Sequence, residues 1–165
     1  QTCHRQDAET LRQNVYERQK KVYDLAMRME TELGKAHLYA EFAWKQGATE
    51  AEMQKVLTDL RKSQWRWDFA VASHGASFHA PQEVTRILAQ SLGYAQEARL
   101  AVAKVLAKHG FTGDVPMPDI STKEKAWAYI GLDVKKLQSD KAKFLHTVVP
   151  KWVQSAKQKG KLIEL

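Results

Sequence analysis

Cysteine and histidine are the residues with the widest chemical range in this sequence, and two of them adjoin. Cys3, the single cysteine, is followed at once by His4. A c-type haem attachment site reads C-x-x-C-H, because two thiols at that spacing reach both vinyl groups while the adjoining imidazole turns onto the iron. Gln-Thr-Cys-His is that pattern without its first cysteine, and a Cys-His pair of no special role is the alternative reading. One thiol excludes an internal disulfide framework and any zinc site built from several thiolates.

The second cluster is Gln64 to Pro81, QWRWDFAVASHGASFHAP, with two tryptophans, two phenylalanines and two histidines around a helix break. Read structurally, it is a helix end that packs Trp65 or Trp67 into a core, with His74 complementing the negative helix terminus. Read functionally, it presents a histidine from a turn to a haem or metal. His79 is the better candidate there, since Pro81 fixes the backbone behind it and Phe78 would keep water from an iron site. His37, His109 and His146 read as surface or helix-end histidines, with no second ligand three or four residues away. Paired carboxylates, a nucleophile with its base and a glycine-rich phosphate loop do not occur as recognisable sets.

The elements that must position these residues are helices. The 165 residues suit one domain, and 44% hydrophobic with 27% charged residues argues against both disorder and a membrane protein. Only four prolines and eight glycines punctuate a chain rich in helix-favouring residues. From Asp7 to Gln46, apolar or small residues recur near heptad spacing at Leu11, Val15, Val22, Leu25, Met29, Ala36, Tyr39 and Ala43, which predicts an amphipathic helix of roughly 60 Å. Gly47 ends it, and Thr49 with Glu52 forms a capping box for a second helix reaching about His74. Pro81 suits the start of a third, which stops at Gly110. Phe111 to Ile120 reads as an extended connection. Ser121 and Glu124 form a second capping box for a short helix ending at Gly131, and a last helix runs from Asp133 to Lys159, kinked or interrupted at Pro150. The expected fold is all-α: one helical region over 1–165, an elongated bundle of about five helices with long first and last members.

Lys plus Arg exceeds Asp plus Glu by 26 to 19, a formal charge of +7. The basic residues are spread along the chain instead of forming a one-sided patch, so no nucleic-acid partner is expected. The run from Trp67 to Ile87 is too interrupted by charged residues and histidines to span a bilayer. Gln1 is not an initiator methionine and no apolar signal segment follows it, so the N-terminus is read as a product of processing or design, and the chain as part of something larger.

Taken in order and spacing, CHRQ, ERQKKV, GATEAEM, QWRWDFAVASHGASFHAP, PDISTKEKA and IGLD resemble the C-terminal part of the ammonia-forming cytochrome c nitrite reductase family, across the whole chain. The resemblance implies a periplasmic enzyme with five covalently attached haem c groups that reduces nitrite to ammonium by six electrons. It also implies that Cys3 is the second thioether cysteine of the last haem, His4 its proximal iron ligand, and His79 the distal ligand of a different haem. The first cysteine of that motif, the other attachment motifs, the catalytic residues and the calcium ligands would all lie upstream. The chain alone should therefore hold no complete haem and no active site.

The same resemblance implies a homodimer and, as partners, the upstream part of the enzyme and a periplasmic or membrane-anchored cytochrome as electron donor. The helix from Asp7 to Gln46 and the one from Asp133 to Lys159 are expected to form most of the two-fold interface, with Val22, Leu25 and Met29 facing their own copies or the last helix of the other chain. A helical interaction or scaffold module without a haem role is the alternative.

Overall fold

A computed structural model describes residues 5–162. Those residues form helices and no strands: α1 (Ala8–Lys45), α2 (Glu50–Ala72), the single turn α3 (Ala76–His79), α4 (Pro81–Lys108), α5 (Lys123–Tyr129), α6 (Val134–Thr147) and α7 (Val149–Gln158). The all-α expectation holds. None of these helices is long and apolar enough to cross a membrane. Cys3 and His4 lie outside the described residues.

Local chemistry accounts for the boundaries. Asp7 caps α1 by accepting the Thr10 N–H at 2.8 Å, and Gly47 at φ +89° lets the helix close. The Gly47 N–H donates to the Trp44 carbonyl and the Ala48 N–H to that of Ala43, the paired bonds of a Schellman stop. Thr49 and Glu52 make the expected capping box for α2, and Pro81 sits in the first turn of α4. Two boundaries differ from the sequence reading. The cap of α5 is Thr122, whose hydroxyl accepts the Lys125 N–H. Ser121 is turned back onto Asp119, which accepts from both its N–H and its hydroxyl. The last helix is two helices, because Pro150 has no N–H to donate and its ring crowds the carbonyl four residues back, so the chain breaks at Val148.

The chain divides between Met117 and Pro118 into two compact units, where one helical region was expected. The proline- and glycine-containing connection from Phe111 to Ile120 carries no helix across that point. In the first unit α1, α2 and α4 pack together. Met29, Leu33, Ala36, Ala40 and Ala43 of α1 meet Met53, Val56 and Leu60 of α2 and Ala95, Ala98, Val102 and Leu106 of α4. Val22, Ala70, Val84 and Leu88 form a smaller cluster. Each large side chain buried here contributes about 1.5–3 kcal/mol over its exposed state. Between α2 and α4 the buried hydroxyls of Ser63 and Ser91 each donate to the other's backbone carbonyl, at 2.8 and 2.6 Å. No polar group is left unpaired by that close approach.

This core overturns one expectation. Val22 and Met29 do not await a second copy: Met29 is fully buried and Val22 nearly so inside one chain, and Leu25 packs against the smaller cluster. The seven-residue spacing 22, 29, 36, 43 is real, but α2 and α4 of the same chain fill the seam. The second unit is built differently. None of α5, α6 and α7 contains a buried residue, and Leu137, Phe144, Leu145, Trp152 and Val153 stay exposed.

Candidate functional site

The turn between α2 and α4 is where the sequence places its best ligand, and its backbone is closely determined. The Ser73 hydroxyl donates to the Phe69 carbonyl at 2.7 Å and ends α2. The Ala76 N–H then reaches the Ser73 carbonyl, and the His79 N–H bonds back to Gly75 at 3.0 Å. The Ala80 N–H donates to Ala76, and Pro81 follows as α4 begins. The result is a single helical turn with His79 as its last residue, at the break where the sequence suggested a turn.

The His79 side chain is exposed. Among the described residues its recorded side-chain interaction is with a ring: Phe78 stands edge-on at 5.0 Å between centroids. No hydrogen bond from a described residue takes either ring nitrogen. A Cβ on Gly75 would lie 3.4 Å from His79 Cδ2, so the imidazole lies close over the glycine backbone. An exposed imidazole whose nitrogens take no hydrogen bond from a described residue, seated on a glycine and flanked by an aromatic ring, has the chemistry of a residue that could hold a haem iron. A metal site made by this chain alone is not in view, since no group of three or more His, Cys, Asp or Glu residues converges among the described residues.

Two cavities flank the turn. One, of about 270 Å³, lies among α1, α2 and α4 and is lined by Val22, Tyr23, Ala70, Leu88, His74 and Ser77. The other, of about 440 Å³, lies between α1 and α4 and combines Val22, Pro81 and Ala89 with the cations Arg18, Lys21 and Arg86. Arg18 sits 5.8 Å from the centre of the Phe78 ring, so Phe78 touches both this guanidinium and the His79 imidazole. Sequence reasoning passed over Arg18 and Lys21, because on a chain with basic residues throughout only the fold shows which cations border the histidine. It read Gly75 as a helix break and had no signal for the seat it provides.

The tryptophans separate as the structural reading suggested. Trp67 packs against both core clusters, with its indole N–H buried and unpartnered among the described residues. Trp65 is exposed and stacks on Phe69 at 6.0 Å. Of the remaining histidines, His37 and His146 are exposed on α1 and α6. His109 caps the end of α4, and its Nε2 lies 3.1 Å from Glu52 Oε2. That carboxylate also accepts the Thr49 backbone N–H and hydroxyl, both at 2.9 Å. The Thr49 N–H first, with His109 and the Thr49 hydroxyl after it, lowers the Glu52 pKa from 4.5 to about 2. This knot joins the end of α4 to the start of α2 and its role is structural.

Comparison with known proteins places the chain among cytochromes. The family model for cytochrome c552 matches residues 1–160. Cytochrome c-552 of Porphyromonas gingivalis is 62% identical over 163 residues, covering 99% of this chain and 33% of that protein. Cytochrome c-552 of Bacteroides thetaiotaomicron is 61% identical over 164 residues, again 99% and 33%. For a Bacteroides fragilis relative of the same name the figures are 58% over 165 residues, 100% and 34%. The chain thus spans about a third of the length of the curated relatives it matches.

Proposed function

The chain belongs to the cytochrome c552 family, and we propose that it acts as the ligand-bearing and dimer-forming C-terminal third of a periplasmic multihaem cytochrome that reduces nitrite to ammonium by six electrons. The observation that carries this reading is His79: an exposed imidazole with no hydrogen-bond partner among the described residues, set on Gly75 and held at the end of a helical turn that Pro81 closely follows. Haem c, when bound, supplies one-electron transfer. His79 would be the residue of this turn that holds the haem iron, and a strong-field imidazole there would favour the low-spin state. Phe78 covers one side of the imidazole and limits water beside it. In this reading Cys3 and His4 serve a different haem, as thioether and proximal ligand. The first cysteine of that motif, the remaining haems, the reaction site and the calcium ligands come from the upstream part of the protein, and electrons arrive from a periplasmic or membrane-anchored cytochrome.

The second unit supplies the dimer contact. Its helices bury nothing of their own, and Phe144 and Trp152 meet edge-on at 5.3 Å while both stay exposed. A second copy that covers this face gives it the apolar burial it lacks, and a two-fold contact uses the same patch twice.

In the full-length, haem-loaded protein, His79→Ala should remove low-spin character from one haem and leave every haem covalently attached. An unchanged haem spectrum overturns the ligand assignment and leaves the helical interaction module as the reading to pursue.

A further inference from the structure

The groove between α1 and α4 contains charge that no described residue neutralises. Of its three cations, Arg86 is held by Glu83, at 2.8 Å from Nε and 2.5 Å from a terminal nitrogen. Arg18 and Lys21, one turn apart on α1, have no acidic partner among the described residues. Between the cations the groove is apolar, with Val22, Pro81 and Ala89 along it. Such a lining suits a ligand that is flat and apolar along most of its length and anionic along one edge. Phe78 connects this groove to His79: its ring lies 5.0 Å from the imidazole and 5.8 Å from the Arg18 guanidinium. A macrocycle ligated by His79 therefore has an apolar channel and two unpaired cations beside it, and its peripheral carboxylates are the anions that match them.

We propose that Arg18 and Lys21 bind the propionates of the haem that His79 ligates, and so position that haem and set its potential. The inference rests on the ligand reading of His79. The same cations could instead receive a carboxylate side chain of the upstream polypeptide. The two sources differ in how close the cations come to the iron: a cation on a propionate lies near enough to stabilise the ferrous state, whereas one turned away onto a protein carboxylate lies farther off and shifts the iron much less.

The test uses the full-length, haem-loaded protein with the double substitution Arg18→Gln/Lys21→Gln. The single substitution Lys20→Gln serves as control, because Lys20 pairs with Asp24 and does not line the groove. Arg18→Lys tests rescue by retained charge. His79→Ala identifies the relevant haem by its loss of low-spin character. In the double variant that haem should stay low-spin, while its ferrous-to-ferric ratio at a fixed potential falls by more than about tenfold, since one unit charge on the order of 10 Å away near a protein surface is worth roughly 15-fold and two are removed. Arg18→Lys and Lys20→Gln should each stay within about twofold of the parent protein. A ratio unchanged in the double variant overturns the proposal, and a lowered melting temperature with that unchanged ratio assigns the cations to a protein carboxylate. If His79→Ala leaves every haem low-spin, the ligand reading fails and this proposal fails with it. The two failures are thus told apart by spin state and potential.

Discussion

The two units share a helical vocabulary and differ in what their helices do with apolar side chains. Before Pro118, α1, α2 and α4 bring methionine, leucine, valine and many alanines together until Met29, Met53, Val56 and Leu88 have no exposed surface. After it, α6 carries Leu137, Phe144 and Leu145 and α7 carries Trp152 and Val153, all exposed. Caps and helix stops are equally well formed in both: Asp133 caps α6 through the Lys136 N–H at 2.9 Å as Asp7 caps α1. Good local signals define a helix, but a helix pair too short to enclose its own apolar stripe still needs an external surface to bury it. The first unit is therefore the scaffold that holds His79 in place, and the second is the one whose helices leave their apolar side chains uncovered.

The largest effect expected from this contrast comes from matched truncations. Leu88→Ala should cost about 2–5 kcal/mol in urea unfolding of the chain, since the side chain is fully buried and its removal leaves a cavity. Trp152→Ala, a larger deletion at a site 61% exposed, should change that value by no more than about 0.5 kcal/mol in dilute monomer. It should nevertheless weaken self-association of the full-length protein in sedimentation experiments. Equal costs for the two substitutions in the monomer would break the contrast, and unchanged association would remove the dimer role assigned to the second unit.

This outcome also shows what the sequence could convey. Boundaries were legible where a single residue type enforces them: Gly47 at a left-handed stop, the Thr49–Glu52 box, Pro81 in a first turn. His79 was legible as a ligand candidate because Phe78 and Pro81 flank it. The partner of the α1 seam was not. Val22, Met29, Ala36 and Ala43 recur every seven residues, and that period records that a stripe is buried without recording whether the covering helix belongs to the same chain. The Ser121–Glu124 box failed for a different reason. Two hydroxyls adjoin there, and Asp119 engages Ser121, which leaves Thr122 to cap the helix. Arg18 and Lys21 were illegible as a pair beside His79, since more than fifty residues of sequence separate them from it.

A smaller effect sharpens the comparison through acid. Each unit has one carboxylate held near pKa 2. Glu52 is lowered from 4.5 by the Thr49 N–H first, then by His109 and the Thr49 hydroxyl. Asp119 is lowered from 3.8 by Lys125 first, then by the side chain and backbone of Ser121. Both bind a proton more weakly when folded, so the stability they give is complete above the ordinary carboxylate range and is lost as pH falls from about 4.5 towards 2. Glu52 ties the end of α4 to the start of α2, whereas Asp119 ties a loop only to α5. Glu52→Gln should therefore flatten the acid side of the unfolding curve for the first unit. Asp119→Asn should leave that curve in place and speed hydrogen exchange only in α5. Urea midpoints taken across that pH range, with amide exchange at each point, check both. A flattened global curve in Asp119→Asn would show that the units are coupled more tightly than their separate packing implies.

The smallest effect isolates the first unit from its own side. Gly34 lies within α1 between the buried Leu33 and the half-buried Lys35, and a Cβ added there would meet nothing within 4 Å. Its flexibility serves no turn and no close contact, so its main consequence is the entropy lost when the helix forms. Gly34→Ala should raise the stability of the first unit by about 0.5–1 kcal/mol. Gly75→Ala is the informative counterpart: the residue caps a single turn instead of lying inside a long helix, and its Cβ would only touch the His79 ring at 3.4 Å, so no comparable gain is expected. If the units melt independently, Gly34→Ala moves only the transition that carries near-ultraviolet signal from the core-packed Trp67 and leaves helix loss in the second unit where it was. A shift of both transitions by the same amount would mean that the two units unfold as one, and that the second draws its stability from the first.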